Sequence, residues 1–74
     1  MKELDAVVLA LDLPEHGLKA GDIGTVVLVH KNSAGYEVEF AALDGETLAV
    51  VTLLASQIRV ALPNEIPHVR RVAV

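Results

Sequence analysis

Asp12, Glu15, His16 and Asp22 stand close together along the chain, and their carboxylate oxygens and imidazole nitrogen are the donor types that hold a divalent cation. Their spacing fits no metal-binding pattern. Short acids beside Pro14, Gly17 and Gly21 are also the residues that close turns through side-chain to backbone hydrogen bonds, and the stretch is read in that second way, with no metal and no cofactor expected. Catalysis has no firmer footing. Cysteine is absent, and Ser33 and Ser56 fall in a turn and a helical turn without a histidine placed to activate them. His30 closes a strand-like run and His68 follows Pro67, positions typical of ordinary exposed side chains. No catalytic residue is assigned, and the chain is read as non-enzymatic.

Binding is better served by the residue types present. Glu37 and Glu39 alternate with Tyr36, Val38 and Phe40, so in a strand they form an acidic stripe on one face that suits a basic partner or simply meets water. Arg70, Arg71 and Val72 make a basic and apolar C-terminal stretch, complementary to that stripe. In Thr47 to Leu54, Ala49, Val51 and Leu53 face one way and Leu48, Val50 and Leu54 the other, so both faces are mostly apolar. A strand in a lone small sheet needs one dry face. Val50 therefore joins Glu37, Glu39, Arg70, Arg71 and Val72 as a candidate partner-binding residue.

Charge is uneven along the chain. Residues 1–58 carry three Lys against nine Asp or Glu, a balance of −6, whereas residues 59–74 carry three Arg against Glu65, a balance of +2, together giving the net −4. An acidic body repels phosphate backbones, so nucleic acid is not the expected partner. The composition is 53% hydrophobic with one Phe, one Tyr and no Trp, which leaves a core of aliphatic and often β-branched residues suited to strands. No apolar run approaches the ~20 residues of a membrane-spanning helix, and the acidic N-terminus lacks the pattern of a signal peptide, so a soluble cytoplasmic protein is expected. At 74 residues the chain holds one domain, and without disulfides a subunit partner is the remaining source of added stability.

The elements that must position these residues follow from run lengths and punctuation. Residues 4–11 read as a first strand ended by Asp12 and Pro14, and residues 12–21 as a long loop. Residues 23–30 read as a second strand in which Gly24 marks a bulge or a close backbone approach. Residues 31–35 make a turn, 36–40 a third strand, 47–54 a fourth after the Asp44-Gly45 turn, 55–58 a 3₁₀ turn and 59–61 a last short strand. The expected architecture is all-β: a small five-stranded SH3-like barrel over residues 1–61 with an extended tail, 62–74. Leu62, Ile66, Val69 and Val72 make that tail apolar, and Pro63 and Pro67 keep it extended. Its last part is expected to add to a sheet edge of its own or a neighbouring copy, with Arg70 and Arg71 reaching Glu37, Glu39 or other carboxylates, in an assembly that is at least a dimer.

The segment Gly21-Asp22-Ile23-Gly24-Thr25-Val26-Val27 resembles the glycine-turn-strand core of KOW-type and other SH3-like barrels. With Asp12-Leu13-Pro14-Glu15-His16-Gly17-Leu18, Tyr36-Glu37-Val38-Glu39-Phe40 and Ser56-Gln57-Ile58-Arg59, the chain is similar over residues 4–61 to a family of short bacterial proteins, frequent in cyanobacteria and known only as a domain of unknown function. The resemblance implies the fold and carries no activity with it. It further implies an accessory subunit or the partner of a neighbouring gene product, such as a toxin-like protein. Where KOW proteins carry basic loop residues this chain has Asp12, Glu15 and Asp22, so a nucleic-acid-binding or metal-binding barrel stands as the alternative rather than the expectation.

Overall fold

The computed structural model describes residues 1–72, with the backbone alone for Ser33. Five strands form one antiparallel sheet: β1 (Ala6–Leu9), β2 (Ile23–Val29), β3 (Tyr36–Ala41), β4 (Thr47–Leu53) and β5 (Ile58–Val60). Their spatial order is β4-β3-β2-β1-β5. The all-β class and the five strands are as expected, but the sheet does not close into a barrel, because β4 and β5 are its two ends and no ladder joins them. Short 3₁₀ turns at Pro14–His16, Lys31–Ser33 and Ala55–Gln57 occupy the connections.

Burial follows the period of two where the sequence alternates most cleanly. In β3, Tyr36, Val38 and Phe40 are buried while Glu37 and Glu39 point to the other face. Val7, Leu9, Val26, Val38, Phe40 and Leu53 lie at the bottom of the core, each worth roughly 1.5–3 kcal/mol relative to exposure. β2 keeps this phase only to Val26. An irregularity between Val26 and Leu28 shifts the register against β3, so that Val29 returns to the core side and Leu28 faces out opposite Glu37.

Gly24 is the close approach, and the bulge of β2 lies further along. A Cβ at Gly24 would stand 2.5 Å from Val38 Cγ1 and 3.0 Å from both the Glu39 carbonyl oxygen and Phe40 Cε1. β1 is shorter than the expected 4–11 run. Asp5 accepts hydrogen bonds from the Lys2 backbone N–H at 3.0 Å and its ammonium at 2.9 Å, and Leu4 takes a left-handed φ of 72°, so a turn occupies the start of the apolar run.

Residues 61–72 add no strand to the chain's own sheet; Ala73 and Val74, at the end of the expected edge strand, lie outside the described residues. The segment instead runs beside the β5-β1-β2 half of the sheet. Leu62, Ile66, Pro67 and His68 enclose with Val8 and Ile23 a hollow of about 300 Å³. Among the described residues no helix is long and apolar enough to cross a membrane.

Candidate functional site

The loop from Asp12 to Asp22 is held by its own acids, as the turn reading expects. Asp12 Oδ1 accepts the Ala20 N–H at 2.9 Å and Asp22 Oδ2 the Lys19 N–H at 2.8 Å. Pro14 opens the 3₁₀ turn, and Gly17 closes it at φ 69°, a left-handed value that side chains disfavour. Gly21 sits at φ 95° and donates its N–H to the Leu9 carbonyl, which ties the loop's end to β1. Among the described residues no group of three or more His, Asp or Glu side chains is arranged to hold a metal ion.

The loop's best-placed carboxylate is bound by a guanidinium from the far end of the chain. Arg70 Nε donates to Asp22 Oδ1 at 2.8 Å, its Nη2 donates to Asp22 Oδ2, and Nη2 also reaches the Gly17 carbonyl at 3.0 Å. Both side chains are largely shielded from water, and the guanidinium first, with the Lys19 amide in support, holds the Asp22 carboxyl below the usual aspartate range. Val72 lies against the backbone at Gly17, and Arg71 is exposed. Sequence reasoning picked out Arg70 and had Asp22 as a turn acid, yet it did not join them. The only signal was the +2 balance of residues 59–74 against an acidic body.

Arg70 was expected to reach Glu37, Glu39 or another carboxylate, and the other carboxylate wins. Glu37 is already occupied: it lies 2.6 Å from His30 Nε2 and accepts from Thr52 Oγ1 at 2.7 Å, and these bonds, the histidine's first, hold its carboxyl below the usual glutamate range. Glu39 accepts from the Thr47 hydroxyl. The acidic stripe is thus tied to its cross-strand neighbours, and Val50, opposite Glu39 in register, stands beside it half exposed.

Between the 67–72 segment and the sheet lies a mostly apolar groove of about 550 Å³, with Leu18, Phe40, Leu43 and Leu48 on the body side and Val69 and Val72 on the other. The Arg70–Asp22 pair stands in its wall. Along residues 61–72 three large apolar side chains are poorly covered: Leu62 is 55%, Ile66 89% and Val69 73% exposed. The arrangement offers a polar clasp, an apolar groove beneath it and an apolar surface above it, which are the parts of a docking site.

Residues 3–60 match the model of a family described as a domain of unknown function, DUF4926. No curated protein and no solved structure matches the chain.

Proposed function

We propose that this chain, which belongs to the DUF4926 family of unknown function, is a non-catalytic protein-binding module that works as an accessory subunit. One observation carries the reading. Leu62, Ile66 and Val69 stand in water on a segment whose course is fixed by a two-bond ion pair, and exposed apolar side chains grouped on a fixed frame mark a surface that a partner covers. The partner is a protein with an apolar patch, because aliphatic side chains recognise their like and the net charge of −4 disfavours a polyanion. The strand count, the long first loop and the 3₁₀ turn before the last strand support an SH3-like reading of the open sheet. The motif strings noted in the sequence support a bacterial setting.

Photo-crosslinkers placed at positions 66 and 69 of the full chain test this in the native cell. Adducts with one protein species, lost in Ile66→Glu and Val69→Glu variants probed from a neighbouring position, are expected. Crosslinks to nucleic acid alone, or capture indifferent to both variants, would exclude the reading. A gel-shift at low salt with single- and double-stranded RNA and DNA is expected to show no complex at micromolar protein.

A further inference from the structure

We infer that the outer edge of β4, which pairs with no further strand among the described residues, is a pairing site for β4 of a second copy of this chain, so that two five-stranded sheets join into one continuous sheet across a two-fold axis. β4 runs Thr-Leu-Ala-Val-Val-Thr-Leu, seven residues with no charge and no proline, and it ends the sheet. Alternate residues of such a strand turn their N–H and C=O groups away from the neighbour they already have, and an edge of this kind is a template for a further strand. Folded proteins blunt such edges with lysine, proline, shortness or a covering segment. β4 has none of the first three, and the one irregularity in its ladder falls at its start, between Phe40 and Ala41 of β3.

The side chains select the occupant. Leu48, Val50 and Leu54 are 38%, 54% and 56% exposed on or just beyond this strand, while Val51 and Leu53 belong to the core. A strand that continues the sheet beside these residues must bring no charge, with aliphatic side chains to meet Val50 and the core-side residues and small hydroxyls beside Thr47 and Thr52, whose own hydroxyls bond to Glu39 and Glu37. β4 is such a strand. Antiparallel self-pairing with the axis near Val50 and Val51 sets uncharged residues against one another along the whole of β4, and Glu46 falls opposite residues 54–56, which carry no charge. The stripes of Glu37 and Glu39 do not oppose this. They lie on β3, and the β3 strands of the two copies would stand three strand spacings apart, ~14 Å, beyond the ~8 Å screening length at physiological salt.

Light scattering after size exclusion on the full chain, from low to several hundred micromolar, together with Val50→Lys and Val60→Lys, tests the assignment. The full chain is expected to form a dimer, and Val50→Lys, which sets a lysine from each copy near the axis, is expected to raise the dimer Kd by about 100-fold or more. Val60→Lys alters the other edge and is expected to leave the dimer intact. Far-ultraviolet circular dichroism checks that both variants fold. Should Val50→Lys fail to fold, amide exchange of the full chain decides: protection of β4 amides that grows with concentration upholds the pairing, and growth elsewhere or nowhere overturns it. A full chain that stays monomeric, a Val50→Lys dimer, dissociation by Val60→Lys, or an assembly larger than two copies that needs both edges would each overturn the proposal.

Discussion

The two edges of the sheet are built by opposite means. β5 is three residues long, and the chain that leaves it turns back at once: Arg59 makes a two-bond contact with Glu65 at 2.7 and 2.6 Å, and Glu65 also accepts the Leu62 N–H at 2.7 Å. β4 is seven residues long and uncharged, and its ladder runs the length of β3. The difference shows how an open sheet can be asymmetric by design of its connections. An edge followed directly by charge and proline is closed to further strands, while an edge with only aliphatic and hydroxyl side chains stays open to them.

The two edges belong to one sheet through β2, which is where that continuity breaks most easily. Gly24→Ala sets a methyl group 2.5 Å from Val38 Cγ1 and 3.0 Å from a backbone oxygen that cannot step aside, so β2 and β3 must part or β2 must shift. Overpacking of this kind costs ~1–3 kcal/mol, which lowers Tm by roughly 5–20 °C in a domain this small. Calorimetry is expected to show that loss in a single transition. A neutral Gly24→Ala, or two separated transitions, would mean that the β5-β1 and β3-β4 halves are not held together here.

At the guarded edge, Glu65→Ala has a smaller effect on stability. Removing the carboxylate frees Arg59 and the Leu62 N–H together, and amides of residues 61–68 are expected to exchange about tenfold faster, the scale of one charge-assisted hydrogen bond. If the clasp is what keeps β5 from pairing, light scattering on this variant is expected to show species above two copies. Unchanged exchange and unchanged mass would show that the shortness of β5 alone closes that edge.

Much of the fold was legible because β3 alternates without a break and the turns carry Asp-Gly and proline signals, so strand identity and order along the chain follow from a period of two. The start of β1 was not legible. The apolar run begins at Leu4, but a Lys2–Asp5 turn with local hydrogen bonds outcompetes the strand there. The partner of Arg70 was hidden for a different reason. Complementary charge pointed to Glu37 and Glu39, whereas their engagement with His30, Thr52 and Thr47 depends on cross-strand register, which is set by the irregularities after Val26 and Phe40. Arg70 and Asp22 are 48 residues apart with no periodicity between them to announce the contact. The uncharged run of β4 could be read directly, whereas the hydrogen bonds of its Thr47 and Thr52 hydroxyls to Glu39 and Glu37 could not.

Acid separates the two edges last and most gently. Arg59 first, with the Leu62 amide, lowers the Glu65 carboxyl from the ordinary 4.5 to about 2. A carboxylate with a depressed folded value stabilises fully above its unfolded value and loses that contribution as pH falls through the folded one. The clasp at β5 is therefore expected to hold through the window from 4.5 down to about 2 and to open only near its lower end. Asp22, lowered from 3.8 chiefly by Arg70, follows the same sign, so the clasp on the 67–72 segment also outlasts an ordinary aspartate as pH falls. β4 has no titratable side chain, so pairing at its edge should survive this window with little change in dimer mass. Carboxyl chemical shifts followed by NMR from pH 7 to 2, with light scattering on the same samples, measure both edges at once. A Glu65 resonance that titrates in the usual glutamate range would remove the guard at β5, and a dimer that dissociates in step with it would place the pairing at the charged edge rather than at β4.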